Sequence, residues 1–430
     1  MNKKLIVVLA LAFVVGIAFA AYAEVQNVKV GGDYTAFAFG RTGFTLTKTG
    51  DSGKMNSEGL AQIANIKIIA DLTDAVSATM IVRNERIWGG STAITGSGRL
   101  ETYIAVAFVT LKDFIQEGWT FKVGQQAVKV GSGLIWGDPN TNQVSTGPFI
   151  APGLPDFCPR VAFTGVLATM DYSPLMLTAG ALKITETDLR YNSDDVNAYL
   201  LQAGYNLEDI LGFKSMGELY LAAKDGFKST TAADDIHVIG LRSVMAPADN
   251  LDVSAEYAYQ AQKNYSERPD KKHMSDYAFL IGATMGFPDV EMSPTLGLDY
   301  TRISENWDPL YETLSPADIA NALFANKNVS CFGVTVGAKP MDDLKLKLRY
   351  ANLRLVKHIA GTTDTNGWAT YLMTTKKIVG DEVDVHLTYD YTSDVQFKLM
   401  GGYFMPGSAF DKETNRKTAS QVIGSMKVTF

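Results

Sequence analysis

Most of the chain alternates between apolar and polar residues with a period of two, which predicts β-strands rather than helices. Residues 384–391 show the pattern plainly, because Val385, Leu387, Tyr389 and Tyr391 share one face and polar residues share the other. A strand of this kind separates an apolar medium from a wet one. About eighteen such strands are predicted, over residues 29–40, 60–71, 75–88, 99–111, 118–130, 160–173, 174–187, 195–206, 215–225, 235–246, 250–261, 275–287, 290–303, 328–339, 343–357, 379–392, 394–405 and 419–430.

The connections between these strands alternate between short and long. The short ones are 73–74, 112–117, 173–174, 246–250, 287–289, 339–343 and 392–394. The long ones are 41–58, 89–98, 131–159, 188–194, 226–234, 262–274, 304–327, 358–378 and 406–418, and 207–214 is about as long as 188–194. The alternation predicts an all-β fold, a single antiparallel transmembrane β-barrel of about 18 strands with short periplasmic turns and long extracellular loops. An even strand number places both termini at the periplasmic rim.

The N-terminus has the pattern of a cleaved secretion signal. A basic start precedes an apolar run over residues 5–20, and Ala21 and Ala23 supply small residues before a cleavage site. The run is shorter than the roughly 20 residues of a spanning helix, which favours a signal peptide over a membrane anchor. We predict a signal peptide over residues 1–23 and an outer-membrane barrel over residues 24–430. Because no later stretch is apolar enough for a helix, only strands closed into a barrel could span a membrane.

Composition agrees with this class. The formal net charge is −7, and the predicted signal peptide holds two of the lysines, so nucleic acid is not expected as a partner. The chain has 2 cysteines, too few for a disulfide scaffold. Its mean hydropathy is close to zero, which suits a barrel that is apolar outside and wet inside.

The last strand ends in an aromatic residue, Phe430, after alternating apolar positions. This ending resembles the signal that the outer-membrane barrel-assembly machinery reads. We therefore expect the assembly machinery as a partner through Phe430, and the alternative is an ordinary final strand.

Two stretches resemble the alginate-export porin family. Residues 380–410 match its pattern of a Gly-x-Glu-x-Asp start, a Tyr-x-Tyr strand, a tight turn and a final Gly-Tyr strand. The matching residues are Gly380, Glu382, Asp384, Tyr389, Tyr391, Gly402, Tyr403, Phe404, Pro406 and Gly407. Residues 121–139 resemble the family's second motif, with Gln125 where the family usually has Arg. Residues 84–90 are a weaker match to the family. The resemblance implies an 18-stranded, monomeric barrel and a carbohydrate or polysaccharide substrate.

Strand parity predicts which side chains point into the lumen. It places ten cations there, Lys67, Arg83, Lys122, Lys224, Arg242, Lys345, Lys347, Arg349, Lys398 and Lys427. It places eleven anions there, Asp71, Glu85, Glu101, Glu218, Asp252, Glu256, Glu291, Asp299, Glu382, Asp384 and Asp390. The balance favours a polar channel over a dedicated anion conduit. The candidate pore-lining residues are Arg83, Glu85, Lys122, Gln126, Lys345, Lys347, Arg349, Glu382, Asp384 and Lys398.

Consecutive antiparallel strands place the cations of residues 345–349 beside Glu382 and Asp384, with Lys398 on the next strand. They form either a charged ladder that orients solutes or a set of ion pairs that keeps the wall in shape, and pairing is the default between neighbouring opposite charges.

The connection 131–159 is the longest and carries five Gly and five Pro. It either folds into the lumen and narrows it or lies on the surface as a solvated loop. Its candidate constriction residues are Trp136, Asp138, Phe149 and Phe157. Cys158 at its end and Cys331 near strand 14 both lie near the outer rim and could form a disulfide, although their strands lie far apart around the wall.

No metal spacing, nucleophile elbow, P-loop or dinucleotide fingerprint occurs in the sequence. We therefore expect no enzymatic activity, metal or cofactor. The leading hypothesis is a porin-like channel for passive diffusion of small polar or charged solutes. The alternatives are a structural or adhesive surface barrel and, less favoured because its four His are dispersed, a barrel enzyme with a Ser–His–acid set.

Overall fold

The computed structural model describes residues 27–44, 46, 57–89, 101–137, 162–185, 195–226, 234–264, 274–359, 374–412 and 416–430. These residues form eighteen strands. The strands are β1 (Asn27–Thr42), β2 (Ser57–Asp71), β3 (Val76–Ile87), β4 (Glu101–Lys112), β5 (Trp119–Ala127), β6 (Ala162–Tyr172), β7 (Leu175–Thr185), β8 (Val196–Asn206), β9 (Ser215–Asp225), β10 (Asp234–Ala248), β11 (Leu251–Asn264), β12 (Met274–Gly286), β13 (Thr295–Ile303), β14 (Val329–Met341), β15 (Leu344–Leu355), β16 (Ile378–Asp390), β17 (Val395–Pro406) and β18 (Ala419–Thr429).

Every strand pairs antiparallel with its neighbours in sequence, and β18 pairs with β1 to close the sheet. Beyond the end of β18, Gly32 N–H donates to the carbonyl of Phe430 (2.8 Å) and Phe430 N–H donates to that of Gly32 (3.0 Å). The closed ring leaves no exposed sheet edge. The prediction of an 18-stranded antiparallel barrel is confirmed.

Several predicted boundaries differ from the observed ones by three to five residues, and two of these differences have a clear local cause. The strand predicted from residue 290 begins at Thr295, because residues 287–294 form a turn in which Phe287 N–H donates to the carbonyl of Pro294 (2.9 Å). The strand predicted to reach residue 130 ends at Ala127, because the chain there leaves the wall.

The strands present two different faces. On β15, Leu346, Leu348 and Tyr350 point outward and are 36–46% exposed, while Lys347 and Arg349 occupy the opposite, inward positions. The inward face also carries a substantial apolar core. Its largest fully buried side chains include Trp136, Trp307, Tyr220, Phe163, Phe404 and Phe410.

Two short helices occur between strands, α1 (Glu208–Leu211) in a short connection and α2 (Asp318–Leu323) in the long connection after β13. Within the described ranges no helix has the length and apolar character needed to cross a membrane. Residues 1–26 lie outside the described residues, so the signal peptide stays a prediction.

Candidate functional site in the barrel lumen

The described start of the connection after β5 folds into the barrel. We call its described part, residues 128–137, the first inner loop. Leu134, Ile135 and Trp136 in it are fully buried, and the Trp136 ring lies 6.3 Å from that of Phe163 on the inner wall. This part of the chain thus follows the inward alternative for the connection 131–159. The predicted constriction residues Asp138, Phe149 and Phe157 lie outside the described residues, and their role stays a prediction.

Glycines allow the first inner loop to pass close to other segments. Gly131 and Gly133 have φ values of +58° and +96°, a region that favours glycine. A Cβ on Gly131 would lie 2.3 Å from Glu256 Oε1, and one on Gly133 would lie 2.3 Å from Thr313 Oγ1. A residue with a side chain would clash at either position, so this path through the lumen depends on both glycines.

Glu256 on β11 anchors the first inner loop to the opposite wall. Its carboxylate accepts the N–H of Ser132 (2.9 Å) and the hydroxyl of Tyr220 (2.7 Å). Arg242 Nε lies 3.8 Å from the same carboxylate, and the Arg242 guanidinium also bonds Glu218. All these groups lie inside the barrel, so the buried charges are compensated.

The connection after β13, residues 304–328, also folds inward, and we call it the second inner loop. It is joined to the first by a short ladder of backbone hydrogen bonds, which includes a parallel bridge between Trp136 and Tyr311. Gly137 N–H donates to the Tyr311 carbonyl (2.8 Å), Tyr311 N–H donates to that of Ile135 (2.9 Å) and Thr313 N–H donates to that of Gly133 (2.9 Å). The two inner loops therefore form one layer inside the lumen.

Polar side chains of β11 and β12 hold the start of the second inner loop. Gln260 donates to the Asp308 carbonyl (2.9 Å) and accepts the Asp308 N–H (2.7 Å). Gln262 donates to the Asn306 carbonyl (2.8 Å), and Asp276 accepts the hydroxyl of Ser304 (2.8 Å). Side-chain amides and carboxylates thus satisfy loop backbone that would otherwise lie buried without partners.

The wall formed by β13 to β16 holds the end of the second inner loop. Glu382 accepts the N–H groups of Ile319 (2.6 Å) and Ala320 (2.8 Å) in the first turn of α2. Arg349 donates to the Pro316 carbonyl from Nε (3.0 Å) and Nη2 (2.8 Å). The same guanidinium forms a bidentate pair with Asp299, at 2.6 and 2.8 Å. A pair of this geometry is among the strongest side-chain interactions.

A second carboxylate, Asp384, lies beside Glu382. Its side chain is fully buried, and neither oxygen has a hydrogen-bond donor in the described part of the chain. Asp318 of α2 lies near it and is 2.9 Å from Nε2 of His386. Three carboxylates therefore meet one imidazole at the docking point of α2.

An aromatic cluster completes the seat of α2. The Phe324 ring lies 5.8 Å from that of Phe404 and 5.6 Å from that of Phe410. Ile319 packs over Gly402, where an added Cβ would lie 3.0 Å from the Ile319 side chain. The second inner loop is thus held by apolar packing as well as by hydrogen bonds.

Burial in this layer affects two loop side chains strongly. Desolvation raises the pKa of Glu312 well above the usual glutamate value, although hydrogen bonds from Asn326 oppose the shift. Desolvation also raises the pKa of Tyr311, with a smaller contribution from Asp308. Glu312 is therefore more readily neutral than an exposed glutamate.

The predicted pore-lining residues of the first strands lie on the inward face, with varied exposure. Arg83 Nη1 lies 3.6 Å from Glu85 Oε1, and Glu85 is fully buried. The Lys122 ammonium lies 5.6 Å from the centre of the Phe108 ring. Gln126 is 1% exposed and donates to two backbone carbonyls. Glu85 and Gln126 are thus covered rather than open to the lumen.

The predicted ladder of β15 and β16 has different partners from those expected. Arg349 is the register partner of Asp384, but it pairs with Asp299, and Lys345 pairs with Asp390 at 2.8 Å. The carboxylate of Glu382 is occupied by α2 rather than by a cation. The sequence could not show this, because the second inner loop competes for the carboxylates.

Three inward lysines of β15 to β18 remain uncovered. Lys347, Lys398 and Lys427 have no ion-pair partner among the described residues. In the strand register, Thr388 on β16 lies between Lys345 on β15 and Lys398 on β17. Lys427 on β18 lies opposite Gln396 on β17. We call Lys345, Lys347, Lys398 and Lys427 the lysine wall, because they lie close together on β15, β17 and β18, on one side of the barrel.

Cys331 lies on the inward face of β14 and is fully buried. Its sulfur is 3.9 Å from the Pro316 carbonyl oxygen of the second inner loop. Cys158 lies outside the described residues, so the proposed disulfide stays a prediction.

Several residues that hold the inner loops escaped the sequence analysis, namely Gln260, Gln262, Asp276, Tyr220, Asp318 and His386. The signal that could have found them is an unusual loop composition. Trp307, Tyr311, Ile319 and Phe324 are large apolar residues in a connection expected to be solvated. Among the described residues, no group of three or more His, Cys, Asp or Glu has a geometry that could hold a metal ion.

Comparison with known proteins gives a consistent picture of the fold. No family model and no curated protein matches the sequence. Among solved structures, the chain resembles Pseudomonas aeruginosa OccK9 (OpdG), with a TM-score of 0.61 and 13% identity over 94% of this chain and 99% of that one.

It also resembles Pseudomonas aeruginosa OpdQ, with a TM-score of 0.58 and 13% identity over 95% of this chain and 99% of that one. The outer membrane protein OprD from Pseudomonas aeruginosa gives a TM-score of 0.56 and 11% identity over 96% of each chain. The chain therefore shares the 18-stranded barrel fold of these proteins along almost its whole length.

Proposed function

We propose that the protein is an outer-membrane channel through which small polar or charged solutes diffuse passively. One observation carries the proposal: the barrel is closed and two inner loops narrow its lumen. The lumen is lined by uncharged side chains, by ion pairs and by lysines that have no ion-pair partner among the described residues. Barrels of 16 to 18 strands typically enclose an aqueous channel. The outward face is apolar and the inward face is polar, as a membrane barrel requires.

The lysine wall adds a preference to this proposal. The neighbouring carboxylates Glu382 and Asp384 are buried under α2, and Asp390 is bonded to Lys345. The charge left open on β15 to β18 is therefore positive, although the strand parity alone gave a balanced lumen. A wall of this kind favours anions, because lining charge sets the selectivity of a pore.

The location follows from the same observations. A chain with a predicted signal peptide and a closed barrel belongs in an outer membrane, and the outer membrane protein OprD has the same fold. We propose membrane lipid as its surroundings, a monomeric state, and the assembly machinery as a transient partner through Phe430. Phe430 is 68% exposed and its backbone closes the barrel seam, so its ring is available for recognition.

The resemblance to alginate-export porins rests on the sequence motifs alone, since the similar solved structures are OprD and related barrels. Four of the motif residues have structural roles here. Glu382 seats α2, Asp384 is buried beside Glu382, Phe404 packs on Phe324, and Gly402 admits Ile319. A polysaccharide substrate is therefore not part of the proposal.

Liposome swelling tests the proposal. Proteoliposomes with the purified barrel should swell in isotonic small neutral sugars and faster still in small carboxylates, whereas liposomes without protein should not. An absence of swelling in every solute would favour the alternative of a structural or adhesive surface barrel. Equal rates for a carboxylate and an amine of the same size would remove the anion preference but keep the channel.

A further inference from the structure

Two arginines on the outer surface face away from the lumen. Arg302 on β13, Ser330 on β14 and Arg354 on β15 are successive register partners, so the two arginine Cα atoms are about 10 Å apart at the usual strand spacing. Ser330 between them is small, which leaves a cleft above the sheet. Two arginine side chains at this separation can reach one anion between them.

Each guanidinium is fixed through Nε. Arg302 Nε donates to the Tyr277 hydroxyl (2.9 Å), and Arg354 Nε donates to Asn352 Oδ1 (3.1 Å). No carboxylate of the described chain lies within ion-pair distance of either arginine. Asp381 on β16, the register partner of Asn352, instead accepts the hydroxyl of Tyr350 (2.6 Å) and the amide of Asn352 (2.8 Å). Arg302 also forms a side-chain hydrogen bond with Tyr300. These partners are all neutral, so the positive charge of both guanidinium groups is left for an external anion.

The level of these arginines matches a membrane surface. Toward the rim with the long connections, the outward side chains of β13 run Leu296, Leu298, Tyr300 and Arg302. Those of β15 run Leu346, Leu348, Tyr350, Asn352 and Arg354. Aliphatic, then aromatic, then cationic side chains follow the order of hydrocarbon, interface and headgroups in a bilayer.

Further cations surround the cleft. Lys376 and Lys377 are exposed just beyond Arg354, and Lys377 donates to the Val356 carbonyl (2.6 Å) rather than to a carboxylate. The described acids around these four cations are already engaged, Asp381 by Tyr350 and Asn352 and Glu305 by Lys357 (2.7 Å), so the patch is net positive. A charge of this sign at the headgroup level attracts anionic lipid.

We propose that the outward face of β13 to β15 binds the phosphate groups of a phosphorylated glycolipid in the outer leaflet, with Arg302 and Arg354 as the phosphate ligands. Tyr300, Tyr350 and Phe332 below them contact the sugar and the upper acyl chains. The inference goes beyond solute passage, and it rests on the outer-membrane location proposed above.

The experiment measures binding of bisphosphorylated lipid A to detergent-purified protein by native mass spectrometry. The test variant is R302Q/R354Q, and the matched control is K112Q/K339Q, which removes two charges at the opposite rim. We expect the test variant to bind at least about tenfold more weakly, since each lost charged hydrogen-bond donor weakens binding by roughly that factor. The control should stay within about twofold of the unmodified protein.

Two ligand controls identify the source of the phosphate. Lipid A stripped of phosphate should bind the unmodified protein as weakly as lipid A binds the test variant. Unchanged binding of lipid A by R302Q/R354Q, or equal binding of the stripped lipid, would overturn the proposal. Displacement of lipid A by inorganic phosphate at equal concentration would also overturn it, because the site would then recognise free phosphate.

Folding and channel function are checked separately. R302Q/R354Q should keep the heat-modifiable migration of a folded barrel and conduct like the unmodified protein in a bilayer of neutral lipid. A loss of lipid binding with unchanged conductance supports the lipid site. A barrel that never conducts contradicts the channel proposal but leaves the lipid-binding proposal unaffected.

Discussion

The carboxylate of Glu382 accepts the backbone N–H of Ile319 at 2.6 Å, which joins the barrel wall to the first turn of α2. Glu382→Ala should release this end of the second inner loop, because two charge-assisted hydrogen bonds are lost. We expect the local opening free energy to fall by about 2 kcal/mol. Amide exchange over residues 317–324 should then accelerate roughly thirtyfold.

Asp390→Asn on the same strand is the control for this change. It removes a carboxylate that is bonded to Lys345 and Gln396 and does not touch α2. Exchange in residues 317–324 should remain unchanged in the control, and unchanged exchange in Glu382→Ala would show that the carboxylate does not hold the loop.

Asp384→Asn should stabilise the seat of α2. The carboxylate is buried without a hydrogen-bond donor among the described residues and lies near Glu382 and Asp318, so a neutral amide removes repulsion and adds a donor. We expect a gain of about 1 kcal/mol, seen as slower exchange of the Ile319 and Ala320 amides. Asp299→Asn is the contrasting change, because it breaks the bidentate pair with Arg349 and should speed exchange of the same amides. Faster exchange of these amides in Asp384→Asn would contradict the expected stabilisation.

Glu312 should make the seating of the second inner loop depend on pH. Burial raises its pKa, so the closed loop favours the neutral acid. The loop is therefore most stable below the usual glutamate pKa, loses stability as the pH rises through the interval up to the raised pKa, and changes no further above it. The protection factor of the Thr313 amide, which compares its exchange rate with the intrinsic rate at the same pH, should fall over that interval, and Glu312→Gln should abolish the fall. The same fall in Glu312→Gln would assign it to another group.

Gly133→Ala should disturb the ladder between the inner loops. Its φ of +96° is unfavourable for alanine, and the new Cβ would lie 2.3 Å from Thr313 Oγ1. We expect a local loss of about 1–3 kcal/mol, measured as faster exchange of the Thr313 amide, which donates to Gly133. Gly40→Ala is the control, because an added Cβ there meets nothing within 4 Å. Equal exchange in the two variants would mean that the ladder tolerates a side chain at residue 133.

Removing charge from the lysine wall should change ion selectivity. Lys347→Gln combined with Lys398→Gln should move the reversal potential in a salt gradient toward zero, because two uncovered cations are lost. Lys183→Gln is the control for charge outside the lumen and removes one cation, since Lys183 pairs with Asp195 at 2.7 Å on the outer face. An equal shift in the control and in the double variant would argue against a direct effect of the lumen charge.

The sequence alone was sufficient to predict the strands that form the wall of the barrel. A strand with one apolar face repeats every two residues, and both the position of each strand and the side that Lys347 or Arg349 faces follow from that local rule. Closure also follows, because no unpaired edge is tolerated in lipid. These features depend on residues that are close together in the sequence.

The arrangement inside the lumen could not be predicted in the same way. Glu382 and Arg349 are neighbours on adjacent strands, which suggested an ion pair between them. Instead, Glu382 binds the backbone of α2 and Arg349 pairs with Asp299. Ser132 meets Glu256 across 124 residues of sequence. Contacts of this range depend on loop paths, and the local signs were the glycines around Gly133 and the large apolar residues of the second inner loop.

The most direct test of the channel is single-channel conductance of the purified barrel in a planar bilayer under a salt gradient. The account predicts a steady open conductance and a reversal potential with the sign of an anion-preferring pore. A folded, heat-modifiable barrel that never conducts would contradict the channel itself, and a stable cation preference would contradict the role of the lysine wall.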